Sequence, residues 1–111
     1  MGVRENKIET YFKEKVKLEL QGIARKWKCS GVDGVPDQIP VWPAAPGQVF
    51  VEIKTSTGTK SPAQTREQDR LRDAGALVFT VYGHSGVENF IRAALKGVLW
   101  HIQAEGEIDL K

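Results

Sequence analysis

"GVPDQIPVWPAAPGQVFVEIKTS", residues 34–56, contains two short apolar stretches separated by a turn of proline, alanine and glycine. We predict a hairpin whose second strand, residues 48–55, is buried, because valine, phenylalanine and isoleucine dominate it. Glu52 and Lys54 interrupt this strand, and charged side chains in a buried strand are costly unless they are paired or liganded. The hairpin therefore indicates both how the chain folds and where its chemistry lies.

Apolar periodicity on either side of the hairpin predicts the fold class. The predicted elements are a helix over 4–20, strands over 23–29, 37–42 and 48–55, a helix over 62–74, a strand over 76–82 and a helix over 87–96. Ser61 with Gln64, and Ser85 with Glu88, spell capping boxes for the second and third helices. Pro40 predicts that its strand lies at an edge or ends early. The order α-β-β-β-α-β-α is typical of an α/β fold with a mixed sheet flanked by helices, in which the last two strands are parallel.

Length and composition limit the classes of protein to consider. A chain of 111 residues suggests one domain, and a net charge of +2 does not by itself indicate a nucleic-acid partner. Eight of the 16 basic residues lie in the first 28 positions, which suits either a local basic surface or a solvated helix face. The single cysteine, Cys29, excludes an internal disulfide and a zinc finger. No apolar run approaches the ~20 residues of a membrane helix, and the polar N-terminus is unlike a secretory signal. We therefore expect a cytoplasmic protein without membrane contact, in the host cytoplasm if the chain is viral.

The charged residues of the hairpin suggest a metal-dependent reaction. Alternation places Glu52 and Lys54 on the same face about 7 Å apart, and in a hairpin Asp37 lies beside Glu52. Two adjacent carboxylates repel each other, and a divalent cation relieves the repulsion; few oxygen ligands with room for water suit Mg²⁺ or Mn²⁺. The carbonyl of Ile53 is a candidate further ligand, and Lys54 is placed to assist the attacking water or stabilise phosphate charge. The alternative is a salt bridge between Glu52 and Lys54, with Asp37 capping a turn.

Five motifs in sequence resemble one nuclease family. "NKIETYF", "GVPD", "VFVEIKT", "SPAQ" and "DAGALVFTVY" resemble, in this order, the VRR-NUC family of the PD-(D/E)XK nuclease superfamily. The resemblance covers residues 4–96 and leaves 97–111 as a tail, for an extra strand or a dimer contact. It implies a restriction-endonuclease-like core and matches Asp37, Glu52 and Lys54 to the catalytic residues of the family.

The same resemblance implies two further site residues, each with a competitor. Glu9 matches a helical glutamate that contributes to the metal site directly or through water, and Glu5 lies one turn earlier on a similar face. Gln64 matches the catalytic glutamine after "SP", while Gln68 is one turn later. For Gln64 the capping box is the alternative explanation.

Substrate and assembly are also implied by the resemblance. The small stand-alone members look like phage and bacterial nucleases that cleave four-way (Holliday) junctions, which implies branched DNA as substrate and a two-fold homodimer. The expected phosphate contacts are Lys26, Lys28, Lys60 and Arg66. Candidate dimer contacts, otherwise expected in the core, are Trp42, Phe50, Trp100 and the tail. The alternatives are a non-catalytic module that binds branched DNA on a nuclease fold, and a nuclease for flaps or forks.

Overall fold

The computed structural model describes residues 4–111 and shows one mixed sheet with helices on both faces. The elements are α1 (Glu5–Leu20), β1 (Ile23–Lys26), β2 (Gln38–Val41), β3 (Val49–Lys54), α2 (Pro62–Asp73), β4 (Leu77–Tyr82), α3 (Gly83–Lys96), α4 (Leu99–Ala104) and β5 (Asp109–Leu110). The five strands are ordered β1-β2-β3-β4-β5. The pairs β1–β2 and β2–β3 are antiparallel, whereas β3–β4 and β4–β5 are parallel. The predicted class and the order of the first seven elements are confirmed.

Alternation along β3 divides its side chains between two cores. The larger core joins apolar residues of β3 and β4 to those of α1 and α3, including Ile8, Phe12, Val16, Val51, Ile53, Phe79 and Phe90. On the other face Phe50 packs against Val78 and stacks with Trp27 at a ring-centroid distance of 4.8 Å. Glu52 and Lys54 project from this second face, which α2 covers.

The ladder between β2 and β3 is unusually short. Only Gln38 and Val51 are paired across it, although β2 pairs with β1 along four residues. The edge position predicted from Pro40 is wrong, because β2 lies between β1 and β3. The ladder does end early, and a proline without an N–H group contributes no donor to prolong it. The charged residues of the hairpin meet at the opposite end of this ladder from Pro40, because Asp37 faces Glu52 on the other side of the Gln38–Val51 pair.

Local capping signals were correct for one helix and wrong for another. The Ser61–Gln64 capping box is present, with the Gln64 N–H donating to Ser61 Oγ at 3.1 Å and the Ser61 N–H donating to Gln64 Oε1 at 2.9 Å. The second predicted box is wrong, because α3 begins at Gly83 and Ser85 lies inside its first turn without a capping bond.

The first strand is also shorter than predicted and ends at Lys26 instead of Cys29.

The C-terminal tail forms structure that the sequence indicated only in part. Residues 97–111 add the short helix α4, which was not predicted, and the extra strand β5, which pairs in parallel with β4. None of the helices within residues 4–111 has the length and apolar composition needed to cross a bilayer.

Candidate active site

Asp37 and Glu52 lie side by side where the β2–β3 ladder ends. Since Gln38 pairs with Val51, antiparallel counting places Asp37 opposite Glu52. The Asp37 carboxylate accepts the backbone N–H of Ile53 through both oxygens, at 3.2 and 3.4 Å. A side chain thus replaces the next ladder bond, and the predicted neighbourhood of the two carboxylates is present.

Both carboxyl groups are held in an environment that disfavours their charge. Burial raises the pKa of Asp37 from 3.8 to about 8; the charges of Glu52 and Glu9 act in the same direction, against the hydrogen bond from Ile53. Burial likewise raises the pKa of Glu52 from 4.5 to about 7, although Lys54 opposes the change. Within residues 4–111, Glu52 Oε1 is one of two buried side-chain atoms without a hydrogen-bond partner. A proton or a cation therefore stabilises this pair.

Lys54 and Gln64 converge on the other oxygen of Glu52. Lys54 Nζ lies 3.7 Å from Glu52 Oε2, and Gln64 Nε2 donates to the same oxygen at 3.0 Å. Gln64 also uses its own oxygen to cap α2 at Ser61, so capping and the contact with Glu52 coexist. Gln68 instead donates to the Thr80 hydroxyl at 3.0 Å in a buried network. The structure thus brings Gln64, and not Gln68, to the carboxylates.

The two helical glutamates approach the site differently. Glu9 Oε1 accepts from Gln38 Nε2 at 3.3 Å and from Lys26 Nζ at 3.5 Å, which fixes its side chain. The charge of Glu9 raises the pKa of Asp37. The charge of exposed Glu5 raises the pKa of both Asp37 and Glu52. The assignment of Glu9 in preference to Glu5 stays a prediction.

The donors present fit a hard cation that keeps part of its water shell. Within the described chain, no three histidine, cysteine, aspartate or glutamate side chains are grouped as a metal cage. Asp37, the unpartnered Oε1 of Glu52 and the Ile53 carbonyl are nevertheless all oxygen donors. In an extended strand this carbonyl faces the same edge as its own N–H, which points to Asp37. Such a set suits Mg²⁺ or Mn²⁺, which bind through few carboxylates and retain several waters.

The four predicted phosphate contacts occupy different settings. Lys28 and Arg66 are exposed. Lys26 is half exposed and bonded to an acid of α1. Lys60 has only 14% of its side chain exposed and lies 2.8 Å from Asp109 of β5. All four stay predictions as DNA contacts.

The aromatic candidates for a dimer contact are mostly internal. Trp42 and Phe50 are buried, at 5% and 9% exposure, as expected of core residues, and are therefore poor candidates for an interface. Trp100 is 46% exposed and donates its indole N–H to the Pro46 carbonyl at 3.3 Å. It is the aromatic candidate that stays accessible.

Two residues at the site were not singled out in the sequence. Gln38 is fully buried and holds Glu9, and its only signal is its place directly after Asp37. Gly34 has a φ of +84°, and a Cβ there would collide with the carbonyl of Ala63 and crowd the Gln64 nitrogen. This glycine therefore seats the loop before Asp37 directly on the first turn of α2.

Solved structures show the relationship of this chain to known proteins. No sequence-family model and no curated protein matches it. A structure titled "VRR_NUC domain" is 34% identical with a TM-score of 0.71, over 79% of this chain and 94% of that one. A second, "VRR_NUC domain protein", is 18% identical with a TM-score of 0.69, over 86% and 91%, and shows the same fold. The chain therefore belongs to the VRR-NUC nuclease-domain family and has its restriction-endonuclease-like fold.

Proposed function

We propose that this protein is a divalent-metal-dependent endodeoxyribonuclease that cleaves branched DNA, with four-way junctions as its preferred substrate. The observation that supports hydrolysis is the pair of carboxyl groups at Asp37 and Glu52, whose pKa values of about 8 and about 7 favour a bound cation beside Lys54. Membership of a nuclease-domain family makes DNA the expected partner.

Each residue of the site has a distinct part in the proposed reaction. Asp37, Glu52 and the Ile53 carbonyl would hold Mg²⁺ or Mn²⁺, with Glu9 contributing through water. When bound, such a cation lowers the pKa of water and polarises the phosphoryl group. Lys54 lies beside Glu52, where its ammonium positions the attacking water and offsets charge that grows on the phosphate. Gln64 fixes Glu52 Oε2 and so keeps Oε1 available.

Branched DNA and a homodimer are proposed from the resemblance together with symmetry. A four-way junction offers two equivalent strands, and a two-fold dimer presents two active sites at a fixed separation. Exposed Lys28 and Arg66 are accessible for phosphate contacts, and Trp100 is the accessible aromatic for the subunit contact. Light scattering of the purified protein tests the dimer directly, and Trp100→Ala tests this contact.

The central experiment compares DNA structures under defined metal conditions. Labelled four-way junction, flap, duplex and single strand are incubated with Mg²⁺, Mn²⁺ or EDTA. We expect metal-dependent cutting of the junction that is lost in Asp37→Ala and in Lys54→Ala. Asp33→Ala is the matched control, because Asp33 is an exposed acid in the same loop. Cleavage that survives both site substitutions would refute the proposal.

Calorimetry separates a nuclease from a binding module on the same fold. Titration of Mn²⁺ into the wild type should give a binding signal that Glu52→Gln greatly weakens. Tight binding of branched DNA without metal binding or cleavage would favour the module. Glu9→Gln and Glu5→Gln, measured in the same way, show which helical acid supports the cation.

A further inference from the structure

A carboxylate of β5 lies among donor groups at the carboxyl end of β4. Asp109 Oδ1 accepts from Lys60 Nζ at 2.8 Å and from the Tyr82 hydroxyl at 3.5 Å. The ammonium of Lys111 lies 5.3 Å from the centre of the Tyr82 ring. The Asp109 carboxylate thus accepts from one cation and one hydroxyl, and a second cation lies over the ring that carries this hydroxyl. Lys60 is already a predicted phosphate contact, whereas the proposed hydrolysis gives no part to Tyr82, Asp109 or Lys111.

This cluster continues the catalytic face of the sheet. Glu52 is in register with Thr80, which is in register with Asp109. Residues in register on neighbouring strands project to the same face, and strands lie about 4.8 Å apart, so Asp109 is roughly 10 Å from Glu52. Lys54 and Tyr82 form the next row. Tyr82 is 7% exposed, so Asp109, with 40% of its side chain exposed, is the member of the cluster that a passing DNA strand can reach first.

Contacts other than the Asp109 side chain hold β5 against β4 and α3. Thr80 N–H donates to the Ile108 carbonyl at 2.9 Å, and Asn89 Nδ2 donates to the Lys111 carbonyl at 2.9 Å. The Leu110 carbonyl lies in a notch at Gly86 that any Cβ would fill. The Asp109 side chain is 40% exposed, so an incoming group can reach its carboxylate, whereas its partner Lys60 is 14% exposed.

We propose that Lys60, the Tyr82 hydroxyl and Lys111 form a phosphate-binding subsite for a DNA backbone phosphate near the scissile one, and that the Asp109 carboxylate fills this subsite in the free protein. The proposal rests on DNA being the substrate. A phosphodiester carries the same charge as the carboxylate and offers the same kind of acceptor oxygens, so it replaces Asp109 without moving β5.

Metal-free DNA binding tests the subsite separately from catalysis. Fluorescence anisotropy with a labelled junction and a labelled duplex is measured in EDTA at salt concentrations from about 50 to 200 mM. Asp109→Asn should bind more tightly than wild type, with a plot of log affinity against log salt steeper by about one. This difference in slope corresponds to about a fourfold larger change in affinity between the two ends of the salt range. Lys60→Ala should show a shallower slope, and the double substitution should lose the gain.

Matched variants isolate the subsite from general charge effects. Glu107→Gln removes another exposed acid of the same tail, and Lys96→Ala removes an exposed lysine at the far end of α3. Both should leave the slope unchanged.

The outcomes distinguish failure of the phosphate subsite from failure of the proposed nuclease function. If Asp109→Asn binds no better than Glu107→Gln while wild type binds and cleaves, the subsite is refuted and the nuclease stands. If wild type binds without cleaving, the gain in Asp109→Asn still supports the subsite, and the hydrolytic function fails. Absence of DNA binding by wild type overturns both.

Discussion

Replacing Asp37 by asparagine should stabilise the metal-free protein at alkaline pH. The folded protein holds the pKa of Asp37 at about 8, against an ordinary value of 3.8, chiefly through burial. Below about pH 4 the carboxyl is protonated in the folded and unfolded chains alike. As the pH rises from there to 8, the unfolded chain releases its proton first, so the wild-type protein loses stability across this range. Asparagine does not titrate, so its variant escapes this loss.

The size of this stabilisation follows from the pKa shift of Asp37 between the unfolded and the folded chain. At about 1.4 kcal/mol for each pKa unit, the shift sets a ceiling of about 6 kcal/mol on the penalty. The gain should be smaller, on the order of 2–3 kcal/mol above pH 8, because the two carboxyls titrate as a coupled pair and Glu52 keeps its own buried charge. The asparagine oxygen can still accept the Ile53 N–H, so this hydrogen bond costs little to replace.

Urea unfolding in EDTA at about pH 5, 7 and 9 measures this dependence. The stability difference between Asp37→Asn and wild type should grow steadily with pH. Asp33→Asn, an exposed acid of the same loop, should differ from wild type by less than about 0.5 kcal/mol throughout. Added Mn²⁺ should stabilise the wild type and not Asp37→Asn, which reduces or reverses the difference. An Asp37→Asn protein less stable than wild type at every pH would refute the reasoning, because the native charge would then be favourable.

Four further substitutions test the support of the site and of the sheet. Gln64→Ala should lower the cleavage rate by about 10- to 100-fold, because it removes a side chain that orients a metal ligand. Gln68→Ala should instead lower the free energy of unfolding by about 1–3 kcal/mol, because it disrupts a buried hydrogen-bond network. Turnover and urea unfolding of both variants give the comparison. Gly34→Ala should cost about 1–3 kcal/mol through its left-handed backbone and reduce turnover even at temperatures where circular dichroism shows a folded chain. Gln103→Ala should lower the unfolding free energy by about 1–3 kcal/mol, since Gln103 accepts the Val78 N–H at 2.8 Å, with turnover of the folded protein unchanged.

Local signals were sufficient to predict the hairpin and the helix that follows it. The capping box of α2 depends on residues three apart, and the burial of β3 depends on its own apolar side chains. The expected hairpin also put Asp37 near Glu52, and the Gln38–Val51 pair of the structure supplies the register that the sequence lacked. Gln64 was selected by resemblance, and its geometry at Glu52 is a contact across 12 residues.

Long-range contacts explain what the sequence did not predict. The start of α3 was misplaced because Ser85 is a good local cap, yet the neighbouring Gly86 is packed under the Leu110 carbonyl, far along the chain. Gln103 satisfies the open edge of β4 by bonding both the Val78 N–H and the Ala76 carbonyl, a function for which an isolated glutamine gives no pattern. Likewise, nothing local in Gln38 indicates that it holds Glu9, 29 residues earlier.

The costs of this fold are concentrated at its candidate active site. Among the buried side-chain atoms of residues 4–111, the two without hydrogen-bond partners are Gln38 Oε1 and Glu52 Oε1. Buried polar atoms are usually paired, so two orphans on strands that meet at one point require an explanation. A short β2–β3 ladder brings Asp37 to the Ile53 N–H and leaves Glu52 Oε1 open. A cation at this point would satisfy Glu52 and reduce the repulsion between the carboxylates, so the features that destabilise the metal-free fold are those that favour metal binding.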